Sequence, residues 1–337
     1  LFFTSINMKK RIADIVTSFL VKKGIKHIFT VTGGGAMFLN DGVAVNKNLN
    51  HISNHHEQAC AMSAVGYSKY ANDLSAVMLT TGCGATNAVT GVLDAWGDNT
   101  PVIFISGQVK RKETSRNSKI NLRTFGVQEA DVISIVQSIT KYSIMINKPE
   151  DILFHLEKAT YLALSGRPGP VWIDIPLDVQ GISLEVDNLR HFKPPSKSIK
   201  TIQGFDKFIE LYNKSKRPIV LAGNGVRISD SLHLLKKFIS NNNLPCVVTY
   251  LGVDYFEQED INYVGRIGIK GDRAGNFAIQ NSDLIICLGS RLSTSQTGFE
   301  YNLFGREATL VVIDIDKEEH KKKTVHIDKF INADIGF

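Results

Sequence analysis

Cysteine is scarce. The four in 337 residues, Cys60, Cys83, Cys246 and Cys287, include no C-x-x-C pair, so neither a zinc cluster nor a disulfide framework is indicated and a reducing cytoplasm is the simplest setting. Long apolar runs are also missing. Val102-Ile103-Phe104-Ile105 and Leu284-Ile285-Ile286-Cys287-Leu288 are strand-sized and far too short to span a bilayer, so no membrane partner is expected. The net charge is a modest +6. Its densest clusters, Lys110-Arg111-Lys112 and Lys321-Lys322-Lys323, come with no aromatic platform or helix-turn-helix pattern, so nucleic acid is not an expected partner either. Leu1-Phe2-Phe3 is too short for the core of a signal peptide, and Met8-Lys9-Lys10-Arg11 reads as a native start preceded by extraneous residues. No internal repeat or low-complexity tract interrupts the chain.

What is present is the balance of a globular protein, 43% apolar and 21% charged residues, with enough chain for two sizeable cores. From Met8 to about Gly181 strand-like runs alternate with helix-length stretches, the pattern of a doubly wound, mostly parallel α/β sheet. Strands are expected at 27–31, 50–53, 75–79, 102–106 and 170–175, and helices near 8–23, 36–46, 57–71, 85–96 and 150–165. The prolines of His191-Phe192-Lys193-Pro194-Pro195-Ser196 block helix and strand, which marks a linker. A second alternation follows, with strands at 217–222, 246–249, 284–288 and 310–314. The expected organisation is therefore a first domain over 8–182, a linker over 183–200 and a second, Rossmann-like domain over 201–337. In such sheets ligands bind beyond the carboxyl ends of strands. Gly33-Gly34-Gly35, Glu57, Thr81-Gly82 and Gly107-Gln108 all follow strands, and Gly223-Asn224-Gly225 and Gly268-Ile269-Lys270-Gly271 are turns in the second half where backbone could approach a phosphate.

Asn54-His55-His56-Glu57-Gln58-Ala59-Cys60-Ala61-Met62-Ser63-Ala64-Val65-Gly66-Tyr67 puts one acid at the start of an otherwise apolar helix, which the composition predicts to be buried on most sides. The helix dipole at that position favours a carboxylate and desolvation favours the neutral acid, so the residues alone do not fix its charge. The segment is compatible with a functional acid and with a simple capping group.

The motifs, taken in order, resemble those of the thiamine diphosphate-dependent enzymes of the acetolactate synthase family. Ile28-Phe29-Thr30-Val31-Thr32-Gly33-Gly34 resembles the family's strand and Pro-Gly-Gly turn. His56-Glu57-Gln58 with Gly66-Tyr67 resembles its catalytic-glutamate helix. Thr80-Thr81-Gly82-Cys83-Gly84-Ala85-Thr86-Asn87 resembles its Ser/Thr-Gly-Pro-Gly-Ala-Thr-Asn turn. Ser106-Gly107-Gln108, Gln128-Glu129 and Gly166-Arg167-Pro168-Gly169-Pro170-Val171 follow in family order.

This resemblance implies a thiamin diphosphate-binding fold, a middle domain and a 2-keto acid substrate such as pyruvate. It implies that Glu57 hydrogen-bonds the pyrimidine N1′ and that Gln128 reaches the active site. Gly34, Gly35, Thr81, Gly82, Gly84 and Asn87 would line the cofactor, while Arg167, Gly268, Gly271 and Asp314 match positions where flavin-containing members hold FAD. The family has members with and without that flavin. Departures from the pattern are Thr32 for a proline, Gly35 for an alanine, Val127 for a phenylalanine, and Cys83 for a proline. Cys83 reads as a small buried residue. Members of the family hold the diphosphate and its Mg²⁺ with a third domain carrying Gly-Asp-Gly, which this sequence does not contain; none of its own residues is expected to ligate metal, and the chain alone is expected to be incomplete for catalysis. A homodimer or homotetramer is implied.

Two further features bear on the reaction. Thiamine decarboxylases use histidine pairs placed after the fourth strand, and this sequence has no histidine between His56 and His155, which favours carboligation over release of an aldehyde. The segment from Lys110 to Arg123 is basic, with Arg111, Arg116 and Arg123 among its cations, and reads either as a solvated loop or as a clamp for an anionic acceptor. The expected function is a carboligase that decarboxylates a 2-keto acid and passes the two-carbon unit to a second keto acid or a nucleotide-linked keto sugar. The alternatives are a 2-keto acid decarboxylase or hydroxyacyl lyase, and a non-catalytic nucleotide-binding subunit.

Overall fold

Continuous apolar runs bounded by turn residues become the buried strands of two parallel sheets, each covered by helices on both faces. The computed structural model describes residues 9–196 and 202–336; the seven residues read as extraneous, Met8, and residues 197–200 of the expected linker lie outside them. The chain divides into two units between Ser196 and Lys197.

The first unit holds strands β1 (Lys9–Arg11), β2 (His27–Thr30), β3 (Asn50–Ser53), β4 (Ser75–Leu79), β5 (Val102–Gln108), β6 (Tyr142–Met145), β7 (Val171–Pro176) and β8 (Ser183–Glu185). Six of them form one sheet in the order β3-β2-β4-β5-β7-β6, with every neighbouring pair parallel. Because successive side chains alternate between faces, Ile28, Ala76, Met78, Ile103, Ile105 and Ile173 pack into one core layer. Phe29, Val77, Leu79, Phe104 and Trp172 pack into the other, where the Phe104 and Trp172 rings stack with centroids 5.2 Å apart. The second unit repeats the plan with β9 (Pro218–Ala222), β10 (Cys246–Val248), β11 (Tyr263–Arg266), β12 (Leu284–Leu288), β13 (Thr309–Asp314) and β14 (Lys329–Asn332), in the order β11-β10-β9-β12-β13-β14.

Several local expectations change. The helix expected over 8–23 is Ile12–Lys22, preceded by β1, which pairs antiparallel with β8. Residues 183–185 of the expected linker are therefore a strand of the first unit. The helix expected over 85–96 is two, Cys83–Asn87 and Val89–Gly97. Strands β6, β11 and β14 have no counterpart among the strands expected from sequence, and all three lie at sheet edges, where half-exposed residues replace the apolar run that identifies a central strand. Among the described residues no helix is long and apolar enough to cross a membrane.

Candidate active site

In the first sheet β2 leads to β3 on one side while β4 lies on the other, so the crevice at the carboxyl ends of β2 and β4 is a topological switch point. The segments that follow β2, β3, β4 and β5 meet there. Gly35 N donates to Thr80 Oγ1 at 3.1 Å. A Cβ on Gly33 would lie 2.5 Å from Thr80 Cβ, and one on Gly35 would lie 2.8 Å from Thr81 Cβ. The glycine turn after β2 is thus seated directly on the threonines after β4. A Cβ on Gly107, at the end of β5, would fall 2.0 Å from the Gly35 carbonyl oxygen, which brings the β5 end under the same turn.

Glu57 is the first residue of the helix Glu57–Ala71, whose N-cap His56 accepts a hydrogen bond from Gln58 N. Its Oε2 accepts from Asn87 Nδ2 at 2.9 Å. Its Oε1 lies 3.1 Å from the point a Cβ on Gly84 would occupy, and that point is 2.5 Å from Thr80 Cγ2, so the absence of a side chain lets this turn pack against Thr80 beside the carboxylate. The helix itself departs from expectation. Cys60, Ala61, Ala64, Val65 and Ser68 form one buried face, whereas Ala59 and Met62 are exposed and Glu57 is half-buried. Small residues at the remaining positions made the segment look uniformly apolar although only one face packs. Cys83, expected to be buried, is exposed.

Gln128 joins this group through its backbone. Gly82 has φ +59° and ψ −118°, a conformation open in practice to glycine alone, and a Cβ there would lie 1.7 Å from the Gln128 carbonyl oxygen. Gln128 is exposed and itself adopts φ +59°. The structure therefore gathers Gly34, Gly35, Glu57, Thr81, Gly82, Gly84, Asn87 and Gln128 at one sheet edge.

It does not treat the remaining candidates in the same way. Arg167 Nε donates to Asn99 Oδ1 in the turn before β7. In the second unit Gly268 and Gly271 follow β11, and Asp314 ends β13. A Cβ on Gly268 would strike the Ser295 carbonyl oxygen at 2.2 Å, and one on Gly271 would strike Ile267 C at 2.5 Å. Packing of the chain on itself thus accounts for these glycines, and neither leaves an open cradle. The switch point of this sheet lies between β9 and β12, where Gly225 N donates to the Gly289 carbonyl at 2.9 Å.

Two cations of the basic segment are paired within the chain. Arg111 Nε bonds Asp178 Oδ2 at 2.8 Å and its Nη1 donates to the Asn147 carbonyl at 2.8 Å. Arg116 Nε bonds Asp131 Oδ1 at 2.9 Å. Arg123 is exposed.

Asp174 and Gln180 were not singled out from sequence for a role at the site, whereas Gln108 was named among the strand-end turns. Asp174 is fully buried on β7, and burial pushes its carboxyl up to about 7, against hydrogen bonds from Ser106 and Gln108 that pull the other way. Gln108 bonds Thr81, and Gln180 donates to the carbonyls of Gly35 and Ile175, each at 2.8 Å. A lone acid inside Val171-Trp172-Ile173-Asp174-Ile175 was the signal available, since a charge in a buried strand is costly without partners.

Two doubly wound parallel sheets, the first presenting an asparagine-held carboxylate beside a glycine at its switch point, define a cofactor-binding α/β protein. Sequence comparison specifies the cofactor: residues 10–135 match the thiamine pyrophosphate enzyme N-terminal TPP binding domain and residues 205–336 match the thiamine pyrophosphate enzyme central domain. The chain belongs to the thiamine pyrophosphate enzymes. Similar proteins include a probable acetolactate synthase large subunit of Methanocaldococcus jannaschii, 33% identical over 331 residues that cover 96% of this chain and 53% of that protein. The acetolactate synthase large subunit of Lactococcus lactis is 32% identical over 328 residues, covering 96% and 54%. The acetolactate synthase isozyme 2 large subunit of Escherichia coli is 30% identical over 321 residues, covering 94% and 56%. The chain spans about half the length of these curated relatives. Among the described residues no group of three or more His, Cys, Asp or Glu is disposed to hold a metal ion.

Proposed function

We propose that this chain is part of a thiamine diphosphate-dependent carboligase of acetolactate synthase type, which decarboxylates a 2-keto acid such as pyruvate and transfers the two-carbon unit to a keto acceptor. The observation that carries the proposal is the Glu57 carboxylate, held by Asn87 at 2.9 Å with its other oxygen beside Gly84. When bound, the cofactor supplies the electron sink for decarboxylation. Glu57 holds the proton at the pyrimidine N1′, and Asn87 keeps the carboxylate aimed. Gly82 and Gly84 would contact the pyrimidine ring through their backbone, and Gly34 and Gly35 would border the substrate. Gln128 faces the acceptor. Within this reading a magnesium ion accompanies the diphosphate, FAD is a second cofactor, and the setting is the cytoplasm. The magnesium and flavin assignments rest on the family resemblance, and visible flavin absorbance of the purified protein tests the second.

The test of the central assignment is Glu57→Gln in the complete protein. It should fold normally and lose turnover by roughly 10²–10⁴-fold, the usual weight of a positioned proton-transfer group. Near-normal turnover, measured as pyruvate consumption, would sink the assignment. A homodimer or higher assembly is part of the same proposal. Its support is the exposed apolar surface of Met62, Leu93 and Trp96 on two helices that touch where Gly91 meets Ala61. Sedimentation equilibrium showing an active monomer would contradict it.

A further inference from the structure

Behind the cofactor edge lies a hydrogen-bond network with a fixed direction. Asp174 pairs in register with Ser106 on the adjacent strand, and its Oδ1 accepts from Ser106 Oγ at 2.6 Å. Its Oδ2 accepts from Gln108 Nε2 at 3.0 Å. Ser106 Oγ in turn accepts from Trp172 Nε1 at 2.8 Å. Gln108 uses both ends of its amide. Nε2 also donates to the Ala130 carbonyl at 2.9 Å, and Oε1 accepts from Thr81 Oγ1 at 2.8 Å and from Val109 N at 2.9 Å.

A backbone N–H only donates and a backbone carbonyl only accepts, so Val109 N requires the Oε1 end of Gln108 and the Ala130 carbonyl requires the Nε2 end. Turned over, the amide would set NH₂ against the Val109 N–H and leave the Ala130 carbonyl without a donor, a state that buried polar groups avoid. The pieces held in this way belong to the site. Thr81 precedes the Gly82 turn, and Ala130 follows Gln128, whose carbonyl covers Gly82. A single side chain, Gln108, thus bonds both the turn after β4 and the segment carrying Gln128.

We infer that Gln108, oriented by Val109 N and the Ala130 carbonyl and bonded to Asp174, is a positioning residue that holds the Gln128–Ala130 segment against the Thr81–Gly82 turn and so controls transfer to the acceptor more than decarboxylation of the donor. The inference rests on the carboligase reading for its kinetic half, whereas its structural half is independent of activity.

The experiment uses Gln108→Met, which keeps the side-chain length and removes every one of these bonds. In the full-length enzyme, the ratio of ligated product to released aldehyde should fall by at least about tenfold, a larger loss than that in donor consumption. Backbone hydrogen exchange should quicken at 80–83 and 126–130 and stay unchanged in β7. An unchanged product ratio, or equal loss in both half-reactions, overturns the acceptor role. Unchanged exchange in both segments overturns the positioning role, whether or not the protein ligates. A wild-type enzyme that consumes no 2-keto acid overturns the carboligase reading and with it the kinetic half, and exchange then judges the structural half alone.

Asp174→Asn separates orientation from packing, because its carbonyl oxygen can still accept from Gln108; it should keep the product ratio within about twofold. If Gln108→Met does not fold, Gln108→Glu takes its place. A single proton shared between the introduced carboxyl and Asp174 would restore the Asp174 contact, so ligation should recover as pH falls, against the constant background of Asp131 and Arg116, the charged pair that acts on Asp174. A product ratio in that variant that does not move with pH overturns the proposal.

Discussion

Gly82→Ala tests how the site is assembled, because two independent costs can be worked from its geometry. The backbone there has φ +59° and ψ −118°, and holding an L-residue in so sparsely populated a region costs about 1–3 kcal/mol. The new methyl would also meet the Gln128 carbonyl oxygen at 1.7 Å, against a 3.0 Å limit that real contacts respect. The turn and the Gln128 segment must therefore separate by more than an ångström, and such overpacking costs about 1–3 kcal/mol more. Relaxation of an exposed segment lowers the sum, so about 3 kcal/mol is expected. For a unit of this size that corresponds to a fall in Tm of about 6–12 °C. Both tryptophans, Trp96 and Trp172, lie in the first unit, so thermal unfolding followed by tryptophan fluorescence reads that unit alone. Gly66→Ala is the counterpart. Gly66 lies inside the helix Glu57–Ala71 with nothing within 4 Å of its missing Cβ, and alanine there should stabilise by up to about 1 kcal/mol. A Gly82→Ala protein that melts with wild type, or a Gly66→Ala protein that loses as much, would refute the reasoning.

Stability should also depend on pH through Asp174. Its folded carboxyl is raised from the ordinary 3.8 to about 7, so the folded chain binds that proton more tightly than the unfolded one. The contribution is fully present below about pH 4 and is lost as pH rises to about 7, by a few kcal/mol at most. Urea titrations of wild type and Asp174→Asn between those limits should diverge steadily, and parallel curves would show that Asp174 does not titrate there. Arg111→Gln removes an ion pair to Asp178 and a bond to the Asn147 carbonyl, and should cost about 1–2 kcal/mol of stability. Arg123→Gln, at an exposed position, should stay within about 0.5 kcal/mol. If Arg111→Gln instead unfolds like wild type and weakens only acceptor binding, the basic segment is a clamp.

The chain itself determined the plan of both units. Leu284–Leu288 and Ala76-Val77-Met78-Leu79 are uninterrupted apolar runs of strand length between polar ends, and a central parallel strand buried on both faces needs such a run. The order of turns was legible for the same reason: Gly33 to Gly35, Glu57, Thr81-Gly82 and Gly107-Gln108 each follow a strand, and a parallel sheet sends the carboxyl ends of its strands to one edge.

Tertiary structure decided what depends on partners far along the chain. Edge strands such as β6 and β14 take their pairing from one neighbour and carry no apolar run of their own. Helix 57–71 has small residues all round, so only the packing of Gly91 against Ala61 shows which face is covered. Arg111 could have served an acceptor until Asp178, 67 residues away, claimed it. Asp174 and Gln108 are 66 residues apart, and the direction of their hydrogen bonds exists only once β5 and β7 lie side by side. Periodicity reports which face of an element is apolar; it carries no information about which distant polar group will meet another, and the work of this site rests on such meetings.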